Sequence, residues 1–158
     1  MALRRDPSLI PLSHDHHHGL VRVFMIRQAV RARVGLSEET AATQEFWTRN
    51  LVPHFEAEEL VLFPALRAAH CALDLVERLT GEHARLREMA AALDASPERL
   101  SGLADLLESH IRCEERELFT QYQAQLPEAE RRAVETQIRR LLDRPDDLPK
   151  ACELPRHP

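Results

Sequence analysis

This 158-residue chain is poor in the residues that build strands and tight turns: it has 4 glycines, its aromatic side chains amount to 4%, and β-branched residues are sparse. That scarcity disfavours a sheet-rich fold. Three cysteines, Cys71, Cys113 and Cys152, are an odd number at unrelated spacings. They suit neither a disulfide framework nor a Cys-rich zinc site and fit a reducing compartment. No apolar run approaches the roughly 20 residues that a membrane span needs, and Met1-Ala2-Leu3-Arg4-Arg5-Asp6-Pro7 lacks the apolar stretch of a signal peptide. The expectation is a soluble, cytoplasmic protein with no membrane partner. Basic residues form no block: 21 Lys and Arg are interspersed among 26 Asp and Glu, for a net charge of −5. There is no basic footprint for nucleic acid.

What is abundant is Ala, Leu, Glu and Arg, all good helix formers, in a chain long enough for one core. Residues 1–12, with Pro7 and Pro11, read as an irregular arm, and Ser13 as an N-cap. A first helix is expected over 14–34, stopped by Gly35. A second starts at Ser37, with acidic residues in its first turn, and runs to about Ala69. Its stripe Trp47, Leu51, His54, Glu58, Val61, Ala65 has helical period; Pro53 and Pro64 should kink it. A third helix, 72–93, carries Val76, Leu79, His83, Leu86, Ala90 and Leu93. A fourth, 98–125, carries Leu103, Leu107, His110, Glu114 and Leu118. Pro127 opens a short fifth helix to about Leu142, with Val134, Ile138 and Leu141 available for packing, and residues 143–158 form a Pro-rich tail. Four long helices with short connections predict an all-α, up-down-up-down antiparallel four-helix bundle over 13–142.

The 9 histidines set this chain apart. The second helix contains His54-Phe55-Glu56-Ala57-Glu58-Glu59-Leu60-Val61-Leu62-Phe63, and the fourth His110-Ile111-Arg112-Cys113-Glu114-Glu115-Arg116-Glu117-Leu118-Phe119. Both read H-x-x-x-E-E-x-x-L-F. A His and a Glu four apart lie one turn above each other on a helix and can reach one metal or two adjacent ones. The third helix gives a solitary His83, followed by apolar residues at plus three and plus six. On the first helix His17 fits that template, with Leu20 and Val23. His16 projects onto the apolar stripe about as well and remains an alternative. The chain therefore reads as two related hairpins, each with one solitary His and one His-x-x-x-Glu pair.

A lone histidine on an apolar face is more often a core residue bonded to a carbonyl than a ligand, but four in register with two glutamates are not explained that way. Burying Glu58 and Glu114 without a partner would cost several kcal/mol each, an order-of-magnitude figure. A cation removes that cost, because carboxylate and neutral imidazole are its ligands. Mixed nitrogen and oxygen donors suit iron, manganese and zinc to different degrees.

These residues resemble the hemerythrin and HHE cation-binding family over about 13–122. The resemblance implies the ligands His17, His54, Glu58, His83, His110 and Glu114, with the glutamates bridging two irons together with an oxygen species. It also implies oxygen or a related oxidant such as peroxide as the small-molecule partner. Oxygen-carrying members place a further His one turn after the third-helix ligand, where this chain has Arg87, and use a carboxylate five residues after the fourth-helix His, where it has Glu115. Glu115 is thus an alternative to Glu114, which the internal repeat favours. Glu59 and Glu115 could otherwise be solvated or could orient imidazoles. His14 and His18 are expected on the solvated side, His70 and His157 as surface residues, and Cys113 as a buried thiol.

Two functions follow. One is a metal-binding protein that binds or responds to oxygen, redox state or iron; the other is a di-iron enzyme that consumes peroxide or reduces oxygen. A ferritin-like oxidase is disfavoured, because no Glu has a His three residues later. Six nitrogen and oxygen ligands are too many for a structural zinc site.

Overall fold

The computed structural model describes residues 4–142, and every regular element among them is helical. The expected tail, 143–158, lies outside the described residues. Asp6 caps a single 3-10 turn, Pro7–Leu9, by accepting from the Ser8 backbone N–H, and α1 follows at once as Ile10–Ala32. The helix thus starts earlier than Ser13, because Pro11 falls in the first turn, where its missing N–H breaks no helical bond. The Ser13 hydroxyl donates instead to Glu115 at 2.6 Å. Helix α1 ends at Arg33, in the left-handed region at φ 53°, and Gly35, at φ 68°, becomes the N-cap of the next helix instead of the stop.

Helix α2 (36–68) and helix α4 (97–125) are continuous but not uniformly α. Trp47–Leu51 and Glu58–Leu62 in α2 and Glu114–Leu118 in α4 are π turns, closed by bonds from Val52 to Trp47, Phe63 to Glu58 and Phe119 to Glu114. The first two end one residue short of Pro53 and Pro64, so the expected disruption takes the form of a widened turn that moves a carbonyl away from the proline ring. The third has no proline after it. It shares with the second the H-x-x-x-E-E-x-x-L-F sequence, whose E-E-x-x-L stretch is the π turn in both. Past Glu58–Leu62 the buried face of α2 passes through Leu62 and Leu66 and leaves Ala65 partly exposed, one residue out of step with the simple period.

Helix α3 is Leu73–Ala91 and α5 is Glu128–Leu141, opened by Pro127. The start of α4 is fixed by Ser96, whose hydroxyl accepts from the Arg99 N–H at 3.1 Å, with Pro97 next. Helix α1 approaches α4 closely: a Cβ added to Gly19 would lie 2.8 Å from Cδ1 of Ile111. Val134 and Ile138 of helix α5 join the buried cluster that holds Leu9, Leu12, Leu66 and Tyr122, whereas Leu141 stays 45% exposed.

The core has two apolar parts. One gathers Val23, Ile26, Leu51, Phe55, Leu86, Leu103, Leu107 and Ile111; the other gathers Leu12, Leu62, Phe63, Leu66, Leu79, Leu118, Phe119 and Tyr122. Between them along every long helix comes a polar step: Asp15 and His16 on α1, His54 and Glu58 on α2, His83 on α3, His110 and Glu114 on α4. All seven are buried.

Candidate metal centre

The long helices carry these polar residues on the faces that bury Leu and Phe above and below them, so the side chains have nowhere to go but inward. Glu58, His83, His110 and Glu114 are 0% exposed. Two groups of four ligand atoms result, each within 4.8 Å of one another: His16, His54, Glu58 and Glu114, and Glu58, His83, His110 and Glu114. The glutamates belong to both. Glu58 Oε1 lies 3.2 Å from His54 Nε2 and its Oε2 3.2 Å from His83 Nε2. Glu114 Oε2 lies 3.0 Å from His16 Nε2 and its Oε1 3.3 Å from His110 Nε2. Each carboxylate straddles the two imidazole pairs.

The solitary histidine of α1 is His16, not His17. The inward stripe of α1 runs Leu12, His16, Gly19, Val23, Ile26, in steps of four and three, and His17, one residue on, points to solvent. The register that relates the hairpins pairs Asp15-His16 with Glu82-His83. Glu114 faces the cluster, whereas Glu115 stands behind it, its Oε1 2.7 Å from His16 Nδ1. His14, His18 and His70 are exposed, and His157 lies outside the described residues. Cys113 is buried in the apolar part with Cys71; burial pushes both thiols up.

Each imidazole is held from behind by a carboxylate on another helix. Asp15 Oδ2 is 3.2 Å from His54 Nδ1, Glu59 Oε1 2.8 Å from His83 Nδ1, Glu82 Oε2 2.9 Å from His110 Nδ1, and Glu115 takes His16. A carboxylate accepts, so it fixes the proton on Nδ1 and leaves the Nε2 lone pair facing inward. Phe63 and Phe119, which end the two H-x-x-x-E-E-x-x-L-F segments, stack on His83 and His16, with centroids 5.4 and 5.5 Å apart. The motif therefore gives two inward donor groups of its own, plus a carboxylate and a ring for the neighbouring helix's histidine. Asp15 and Glu82 were not singled out by sequence reasoning. Their signal was there: each immediately precedes the solitary histidine.

The inward carboxylate oxygens are left unsatisfied. All four oxygens of Glu58 and Glu114 are buried without a hydrogen-bond partner. His16 and His54 bring their Nε2 atoms to 3.1 Å, and His83 and His110 theirs to 3.0 Å. With the proton of each ring on Nδ1, the facing Nε2 lone pairs repel at these distances unless a further proton or a metal cation lies between them. The protein's own groups can supply only protons. Burial would discharge His110, but Glu114, then Glu82 and Glu58, hold its pKa up at about 10. His16 and His54 are also raised against burial, by Glu114 with Glu115 and by Glu58 with Asp15. Burial and mutual repulsion push Glu58 up, yet His54 and His83 bring it below the ordinary range; burial likewise opposes Glu114, which His110 and His16 bring far lower. A site that draws in so much positive charge fits a cation.

Residues 8–122 match the hemerythrin HHE cation-binding domain model. The chain belongs to the hemerythrin HHE family. Among curated proteins and solved structures, none matches it. For this hemerythrin-like chain the cation-binding chemistry is thus assigned twice, by the family and by the converging His and Glu side chains. No helix among the described residues is long and apolar enough to cross a membrane.

Proposed function

We propose that this protein holds two metal ions, best matched by iron, one between His16 and His54 and the other between His83 and His110, with Glu58 and Glu114 bridging them. The observation that carries the reading is that each glutamate directs one oxygen to each histidine pair. An iron pair would supply one-electron redox chemistry and affinity for oxygen or a related small oxidant. Manganese and zinc are the competing occupants. The same reading takes the four long helices as alternating up and down, the order favoured by the short connections 33–35, 69–72 and 92–96.

The chain's own residues keep the centre dry and fixed. Phe55 stacks on His83 at 4.0 Å between centroids and meets His110 edge-on at 5.7 Å; Phe63 and Phe119 close other sides. Only a small molecule would enter such a site, and a sealed centre favours binding or sensing of oxygen, redox state or iron over rapid turnover of peroxide. Glu59 and Arg87 also account for the departure from oxygen carriers. Arg87 donates to both oxygens of Glu59, at 2.7 and 3.0 Å, and so steadies the carboxylate behind His83 rather than ligating.

The test is the metal content of the full chain from iron-supplemented cells, with optical spectra of the oxidised, anaerobically reduced and air-exposed protein. The expected result is two irons per chain and oxygen-sensitive visible bands, both lost in Glu58→Ala and His110→Ala. Unchanged metal content in those variants removes the assignment, and steady peroxide turnover would favour the enzyme.

A further inference from the structure

The run His14-Asp15-His16-His17-His18 is divided by the helix period: Asp15 and His16 face the buried centre, while His14, His17 and His18 face solvent on the opposite side of the same turn. His14 and His18 are one helical turn apart, with ring centroids 4.7 Å from each other. The buried pairs have nearly the same spacing, 4.8 Å for His16 and His54 and 4.7 Å for His83 and His110. We propose that His14 and His18 form a second, surface metal site, a chelate for an imidazole-preferring divalent transition cation. Two histidines at i and i+4 on one helical face are a known way to grip such an ion. The donors are nitrogens, water completes the coordination, and the order of affinity is copper above nickel and zinc, with calcium and magnesium excluded. His17, with its ring 5.9 Å from that of His18, flanks the pair and is not needed for the chelate. The site lies outside the bundle and does not depend on what fills the buried centre. It does clamp the turn that carries Asp15 and His16, so its occupant stabilises the fold by linkage.

The experiment is a Cu2+ titration of the full chain, with the buried centre already loaded, followed by calorimetry and by electron paramagnetic resonance of the added copper. Wild type should take up copper with coupling to two imidazole nitrogens and should melt at a higher temperature when copper is present. His14→Gln with His18→Gln should weaken that binding at least tenfold and abolish both the coupling and the thermal shift, with the helical signal and the buried centre's spectrum unchanged, because both side chains are exposed. His17→Gln and His70→Gln should behave as wild type. Undiminished copper affinity in the double variant overturns the proposal, as does a loss produced by His17→Gln or His70→Gln alone.

Discussion

Asp15 reaches from α1 to His54 on α2, placing Oδ2 3.2 Å from Nδ1, with both side chains 1% exposed. An acid so deeply buried is costly unless it does what the other three outer carboxylates do and holds an imidazole in one tautomer. Asp15→Asn keeps an oxygen that can accept from Nδ1 but removes the charge. The expected outcome is a folded protein whose metal affinity falls roughly 10- to 100-fold in chelator competition. Glu82→Gln, which alters the same support behind His110, should match it. Wild-type affinity in both variants would show the carboxylates to be incidental.

His16→Ala should cost the protein metal, whereas His17→Ala should retain the full complement, as measured by metal analysis of the purified variants. The reverse pattern would mean that α1 is rotated by one residue relative to the geometry described here.

Tyr122 is the chain's only tyrosine, it is fully buried, and its hydroxyl lies 2.9 Å from that of Ser8. Burial pushes its pKa from 10.0 to about 12. The folded state therefore keeps a proton that the unfolded chain gives up. Stability from this group is whole below pH 10 and is lost as pH rises through about 12, with a limit of about 3 kcal/mol. Phenolate absorbance should show the late titration directly, and Tyr122→Phe should flatten the alkaline slope while costing about 1 kcal/mol at neutral pH for the lost hydrogen bond. Titration of the native protein near pH 10 would refute this.

Two glycines in mid-helix should respond oppositely to alanine. Nothing lies within 4 Å of a Cβ at Gly81, so Gly81→Ala should stabilise by about 0.5–1 kcal/mol through helix propensity. At Gly19 the new methyl meets Ile111, itself buried, and overpacking of about 1–3 kcal/mol outweighs that gain. Thermal denaturation distinguishes the two, and equal stabilisation would mean that α1 and α4 separate easily.

Much of the site was readable because ligand pairs repeat along single helices: His54 with Glu58 and His110 with Glu114 announce themselves by a four-residue step. Three features were not readable in the same way. The choice between His16 and His17 depends on the phase of α1, which Pro11 and the early helix start set, and neighbouring histidines offer no contrast in residue type. Asp15 and Glu82 act on imidazoles of another helix, and no local spacing encodes that distance. The π turns leave no mark common to all three, since Glu114–Leu118 forms one without the proline that follows the other two, and Trp47–Leu51 forms one without the E-E-x-x-L sequence.

The polar step between the two apolar parts has a consequence for cooperativity. Each part has its own leucine and phenylalanine contacts, and the layer joining them consists of charges that are costly to bury unless an ion binds them together. With metal bound, both parts should exchange their amide hydrogens at one common, slow rate and melt in one transition. After chelation, the part holding Leu103 and Leu107 should open independently of the part holding Phe119 and Tyr122, so that the ion acts as the fastener that makes two small cores unfold as one.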